Sequence, residues 1–341
     1  FITCTHNYYG PVVDKLLGYL GDPSYAEPDQ DYLDFMLREI VAASAKAAAT
    51  TRDVELAGVS FESISPQKTG AIYIRDINTK EIPSLMVIAP FIPIVEEEDN
   101  NISAGYSGML RKLLRAEFGG DCVVLNMLAP YNPDAVPLLP AEKLCETIVG
   151  QLATLKKDDT ASWLRGEVLL RGLLEEVKME KAVFPSLWES KVKWAETRSV
   201  YENNSSLTGV ELEYAKTGAQ EACSIMKYAL AEQSGKINSL LAPYFVQDIQ
   251  CVLIGNVCIL GMPGMVSQGV VRAIIEKYQN SNIFIVTPAN GNIQGYAKSA
   301  LEINKPVKIA SPLSMESIET MLRKAEEIVN KMLSMAAINP K

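Results

Sequence analysis

Histidine usage bounds the chemistry open to this chain. Its 341 residues include one histidine, His6, in the run Phe1-Ile-Thr-Cys-Thr-His6-Asn7-Tyr8-Tyr9-Gly10-Pro11. One imidazole can act as a general base, as in a serine hydrolase, but a zinc site needing two or three histidines cannot be assembled within the chain. The run reads as the end of an apolar strand opening into a loop, and ligands in α/β folds gather outside strand ends. An isolated histidine is more commonly a satisfied structural residue, so position is what raises His6 to a candidate.

Other chemistry-bearing patterns are missing. There is no G-x-x-x-x-G-K-[ST] phosphate loop and no G-x-G-x-x-G dinucleotide turn. Nor is there a G-x-S-x-G nucleophile elbow; Gly105-Tyr-Ser-Gly108 comes near but reads as a tight entry into a helix. Six cysteines occur without a C-x-x-C pair, most in apolar stretches, and are expected as buried free thiols. Net charge is −9, which argues against a nucleic-acid partner because phosphate neutralisation needs a basic surface. No apolar run approaches the ~20 residues of a membrane span.

The elements that must position His6 and its neighbours alternate in type. Leu33, Met36, Leu37, Ile40 and Val41 stand at helical spacing and predict a half-buried helix over Asp31–Thr50. Strand-like runs follow at Val54–Phe61, Ala71–Arg75 and Leu85–Pro90, then a helix over Tyr106–Phe118, a strand over Cys122–Leu128 and a helix opening after Pro140. Trp163–Lys178 fits strand or helix. A long helix is expected over Gly209–Gln233, and a hairpin over Val246–Leu260 about Gly255-Asn256. A helix to Tyr278, a strand over Ile283–Thr287 and an amphipathic helix over Met315–Met335 complete the chain. There is no linker and no sequence repeat. The interleaving predicts a single mixed α/β domain over residues 1–341, its sheet flanked by helices.

Five segments, in order, resemble the catalytic domain of neutral/alkaline ceramidases. Thr5-His6-Asn7-Tyr8-Tyr9-Gly10-Pro11 is similar to that family's Thr-His-Thr-His-Ser-Gly-Pro, and Ile102-Ser-Ala-Gly-Tyr-Ser-Gly108 to Ile-Ser-Ala-Asp-Tyr-Pro-Gly. Val124-Leu-Asn-Met-Leu-Ala-Pro-Tyr-Asn-Pro133 resembles Gly-Ala-Ala-Gly-Asp-Val-Ser/Asn-Pro. Ile259-Leu-Gly-Met-Pro-Gly264 resembles a strand ending in Pro-Gly-Glu, and Ala289-Asn-Gly-Asn-Ile-Gln-Gly-Tyr296 an Ala-Asn-(x)-Tyr-x-Gly-Tyr segment. Family members carry strand sequence before the histidine motif, so the chain is expected to lack residues that precede Phe1.

The resemblance implies a zinc ion held by two histidines, a glutamate and a tyrosine, and only part of that set is retained. His6 and Tyr296 match the first histidine and the tyrosine. The second histidine falls in Pro90-Phe91-Ile92-Pro93, and the glutamate is replaced by Met265. A thioether is a poor zinc ligand beside oxygen and nitrogen donors. Tyr8 stands where the family has its second motif histidine, Asn132 where it has serine or asparagine, and Pro130 where it has aspartate. Its catalytic arginine has no convincing counterpart; Gln67 and Lys68 lie nearest. Glu96-Glu97-Glu98 could supply a substitute carboxylate but reads more simply as a solvated acidic loop.

The resemblance thus implies a ceramidase-like protein with a degenerate metal site. Its cleft would be lined by His6, Tyr8 and Asn132 in catalytic positions and by Asn290 and Tyr296 in ligand-binding ones. The expected partner is a small molecule, lipid-like if the family's habit is kept. No cofactor is expected, with zinc on His6 and Tyr296 as the alternative. An amide or ester hydrolase with a rearranged site is the competing reading, His6 acting as base and Tyr8 or Tyr296 as acid or oxyanion donor. A purely structural module is the third. The resemblance favours a secreted or periplasmic protein and the unpaired cysteines a cytoplasmic one.

Overall fold

The structure is a computed structural model, and it describes residues 29–64, 67–90, 104–132, 141–157, 163–279, 281–291 and 295–338. After helix α1 (Gln30–Ala49) come strands β1 (Val54–Ile64), β2 (Gln67–Asp76) and β3 (Ser84–Ala89), helix α2 (Gly105–Phe118), strand β4 (Val123–Leu128) and helix α3 (Ala141–Lys157). Strand β5 (Leu170–Lys178), helices α4 (Leu187–Glu202), α5 (Gly209–Gln233) and α6 (Ile237–Leu241), and strands β6 (Val246–Ile254), β7 (Val257–Gly261) and β8 (Met265–Val266) follow. Helix α7 (Gln268–Lys277), strands β9 (Asn282–Val286) and β10 (Tyr296–Ala297), and helix α8 (Met315–Ile338) end the order.

The described strands form two four-stranded sheets, β1-β2-β3-β4 and β5-β6-β7-β9, plus the short pair β8-β10. Both larger sheets repeat one pattern: two antiparallel pairings, then a parallel one. In each the parallel step is a helical crossover, α2 between β3 and β4 and α7 between β7 and β9. The mixed α/β class and the flanking helices are as the sequence predicts; the single sheet is two sheets, face to face.

Side-chain alternation shows how they stack. Ala71, Tyr73, Leu85, Val87 and Leu128 of the first sheet pack outward against Leu110 and Leu114 of α2 and Leu144, Ile148 and Leu152 of α3. Ile249, Cys251, Leu253, Cys258 and Leu260 of the second pack outward against α7 and α8. The residues between, Ile72, Ile88 and Met127 from one sheet and Val257, Ile259, Phe284 and Val286 from the other, form the central layer. The result is helix–sheet–sheet–helix. A Cβ on Gly70 would sit 2.3 Å from the Phe284 ring, and one on Gly58 2.9 Å from a Val257 methyl, so both glycines are where one sheet admits the other's side chains.

Several expectations need correction. Helix α1 carries no buried residue; of its apolar stripe Leu33, Met36 and Ile40 are half-buried, whereas Leu37 and Val41 are exposed among the described residues. Of the ambiguous Trp163–Lys178 stretch, Leu170–Lys178 is a strand. Helix α4, which sequence periodicity does not signal, packs against α5 as a hairpin. Cys122, Cys145, Cys251 and Cys258 are buried free thiols and Cys223 a half-buried one.

Candidate functional site

The parallel strands of both sheets end at one place. The backbone N–H of Thr287, just past β9, donates to the carbonyl of Leu128 at the end of β4, at 2.9 Å, and so stitches the sheets together. The chain leaving β4 then runs beside β8: Tyr131 N–H donates to Val266 O at 3.1 Å, and Gln268 N–H to Tyr131 O at 2.8 Å. Such a convergence of strand carboxyl ends is where α/β proteins build sites.

Tyr296 lies in that junction, buried on β10, and is the register partner of Met265 on β8. Two of the four positions that the resemblance assigns to zinc ligands are therefore adjacent in space. The Met265 side chain is buried, and its sulfur accepts a weak bond from the Thr287 hydroxyl at 3.9 Å. The same hydroxyl oxygen accepts from Val266 N–H at 3.3 Å. The thioether thus belongs to the packed strand ends.

Tyr131 is the residue sequence reasoning missed, although it stands inside a segment that carries the resemblance. Its ring meets Tyr296 edge to face, centroids 4.9 Å apart. Its hydroxyl is buried and has no hydrogen-bond partner among the described residues. Burial pushes the phenol well above its ordinary range, and the charges of Glu302 and Glu221 push it further, so the hydroxyl stays a neutral donor. Glu302 is itself buried. It accepts from Ser267 Oγ, from Gly269 N–H at 3.2 Å, and from Ser299 N–H at 3.0 Å and Oγ at 2.8 Å. This is a carboxylate fixed at the start of α7 and satisfied by it, a structural role that the Ser299-x-x-Glu302 capping box makes readable in sequence.

Of the other candidates, Asn132 follows Tyr131 and is half-buried. Asn290 sits in the left-handed region at φ 55, a conformation asparagine tolerates, and its Nδ2 donates to Gln250 Oε1 at 2.6 Å. The adjoining Gly291 carbonyl accepts from Gly264 N–H at 3.4 Å, tying this loop to the one before Met265. Gln67 and Lys68 lie in β2. His6, Tyr8, Phe91, Ile92 and Glu96–Glu98 lie outside the described residues. The structure therefore brings Asn132, Tyr296 and Met265 to one junction with Tyr131, and Asn290 to its edge. Among the described residues no three His, Cys, Asp or Glu side chains gather as a metal site, and no helix is long and apolar enough to cross a membrane.

No family model and no curated protein matches this sequence. Solved structures do. The neutral ceramidase from Pseudomonas aeruginosa is similar with a TM-score of 0.52 at 14% identity, over 87% of this chain and 55% of that one. A ceramidase complexed with C2 is similar with a TM-score of 0.50 at 11% identity, over 84% of this chain and 55% of that one. The chain spans about half the length of either protein, and at these identities the likeness establishes one thing: the fold of this chain is ceramidase-like.

Proposed function

We propose that residues 1–341 form one ceramidase-like domain with a degenerate metal site, which binds a small molecule, lipid-like in one reading, with little or no zinc amidase activity. The observation that carries this is the side chain of Met265. It is the register partner of Tyr296, where the resemblance places a glutamate, and its buried sulfur is turned to Thr287. The donor set does not fit zinc: one imidazole and one phenol are short of the roughly three protein ligands a catalytic zinc keeps. What stays at the junction is an uncommitted phenol donor on Tyr131, the amides of Asn132 and Asn290, and apolar walls, which suit binding and orientation.

The test is metal content by mass spectrometry of the purified chain, with zinc titration by calorimetry and an assay against a short-chain ceramide. Substoichiometric zinc, no saturable zinc binding and no hydrolysis are expected. About one tightly held zinc per chain, or turnover abolished by a chelator, overturns the proposal.

One observation favours the second reading, an amide or ester hydrolase with a rearranged site. The Tyr131 hydroxyl is neutral and without a partner among the described residues, which is the chemistry an oxyanion donor needs. In that reading His6 is the base, and Tyr8 or Tyr296 acts beside it. Ester turnover that His6→Ala and Tyr131→Phe each reduce at least about 100-fold would establish it.

A further inference from the structure

Helix α4 packs on α5 through one face. Leu187, Ser190, Trp194, Thr197 and Tyr201, at spacings of three and four, are its buried and half-buried residues. Trp188, Val192, Ala195 and Ser199, at the same spacings, line another face, and all four are exposed, Trp188 at 74% and Val192 at 37%. No charged residue stands within that seam, although the solvent side of a helix is where charges ordinarily gather. Tryptophan is enriched at protein interfaces over free surface.

The flanks of the seam are ordered as well. Written as a heptad, Trp188 and Ala195 stand at d and Val192 and Ser199 at a, which places Glu189 and Glu196 at e and Lys191 and Arg198 at g. One flank is acidic and the other basic. Two of these charges are engaged within the chain: Glu189 closes the capping box with Ser186, and Arg198 Nε donates to Glu202 at 2.7 Å. Lys191 and Glu196 are exposed and have no ion-pair partner among the described residues. Five residues apart, they lie on opposite flanks and cannot reach each other along one helix. In a parallel pair of helices, a g residue of one meets the e residue five positions on in the other. Lys191 and Glu196 have that spacing.

We propose that this face of α4 is a self-association surface, on which a second copy of the chain lays its own α4 in parallel about a two-fold axis. The two seams face each other, and Lys191 pairs with the partner subunit's Glu196 twice by symmetry. An antiparallel arrangement would set g against g and e against e, cation on cation and carboxylate on carboxylate. A bilayer could also cover such a seam, but the flanking charges cancel and leave no basic excess to hold an anionic surface. The seam runs about 16 Å along the helix, short for an interface, so micromolar and not nanomolar association is expected. The surface is separate from the strand-end junction, and the inference goes beyond the binding reading.

Sedimentation velocity of the purified full chain over a concentration series is the test. A reversible dimer is expected, weakened at least about tenfold by Trp188→Lys. Lys191→Glu alone and Glu196→Lys alone should each weaken it by a similar factor, since each sets like charges against each other. Melting temperatures should hold, because all three positions are exposed. Mixing the Lys191→Glu and Glu196→Lys chains should restore association as heterodimers, each chain offering the other the opposite charge. Should Trp188→Lys fail to fold, the charge exchange reads the same surface. A chain that stays monomeric at its highest soluble concentration, a dimer indifferent to these variants, or a mixture that stays monomeric overturns the inference. So does a monomer that binds phosphatidylcholine vesicles through Trp188.

Discussion

Tyr131 and Tyr296 meet edge to face at 4.9 Å where the strand ends of the two sheets converge, and the Tyr131 hydroxyl is the one of the pair left buried and unbonded among the described residues. Edge-to-face packing fixes the ring of Tyr131 without using its polar end. Removing that end should therefore spare the fold. Tyr131→Phe is expected to leave stability unchanged or raise it by up to about 2 kcal/mol, because an unsatisfied buried hydroxyl carries a desolvation penalty of that order. Urea denaturation reads this directly. A loss above about 1 kcal/mol would mean that the hydroxyl has a partner in the folded protein, since a typical hydrogen bond contributes on that scale.

The stacking of the sheets makes a second prediction. Gly70 leaves room for the Phe284 ring, which a Cβ would approach to 2.3 Å. Because the ring is held in the central layer, the neighbour cannot simply swing away. Gly70→Ala should destabilise by about 1–3 kcal/mol through overpacking. Phe284→Leu in the same chain should relieve part of that, and a double-mutant cycle would show coupling above about 0.5 kcal/mol. Additive effects would mean that the two sheets are farther apart than described.

Most of this architecture is legible in the residues, and the parts that are not have physical reasons. The hairpin β6-β7 announces itself through Gly255-Asn256 between apolar runs, and α5 through its length. Strand β5 is ambiguous because it is an edge strand: Leu170 and Leu174 stay exposed, so its pattern lacks the clean alternation of a half-buried strand. Helix α4 packs chiefly on α5 among the described residues, with Trp188 exposed at 74% and a serine, Ser190, as its one buried residue, so no apolar stripe marks it. The duplicated strand order is invisible because inner and outer faces of both sheets are equally apolar, as Ile72 and Tyr73 or Ile259 and Leu260 show. At the junction, Asn132, Asn290 and Tyr296 can be named from motif letters. That Tyr131 ends up beside Tyr296 depends on β4 and β8 meeting across two sheets, which local pattern does not encode.

A pH-dependent contribution should come from Glu55, buried at 1% exposure under three cations, Arg75, Lys80 and Arg165. Burial alone would push its carboxyl up, but the bonds from the three side chains together outweigh it and hold the group at about 2, below the ordinary 4.5. A depressed folded value means that the stabilisation is full above the unfolded value and is lost as pH falls through 4.5 towards about 2. Glu55→Gln should cost about 2 kcal/mol near neutrality, the scale of hydrogen bonds to a charged group. Its deficit against the parent should close over that acid range. A deficit that stays constant down to pH 2 would show that the charge of Glu55 contributes nothing.

Lys298, two residues past Tyr296, should prove the cation on which the order of this edge depends. It is buried, and Nζ donates to Glu221 on α5 and to the carbonyls of Ile303 at 3.2 Å and Lys305 at 2.8 Å. The other Glu221 oxygen accepts from Val307 N–H at 3.3 Å, so one ion pair ties α5 to the chain that follows β10. Burial raises the Glu221 carboxyl despite the ammonium beside it, which shows how much its charge depends on Lys298. Lys298→Met should therefore cost about 3–5 kcal/mol by stranding a buried carboxylate, and Lys298→Met with Glu221→Gln should recover most of it. The stranded carboxyl, raised further, favours its neutral form in the folded chain, so the single variant should regain stability as pH falls, whereas the double variant should not. Equal deficits for single and double variants at every pH would show that side-chain packing, and not the charge pair, holds this segment on α5.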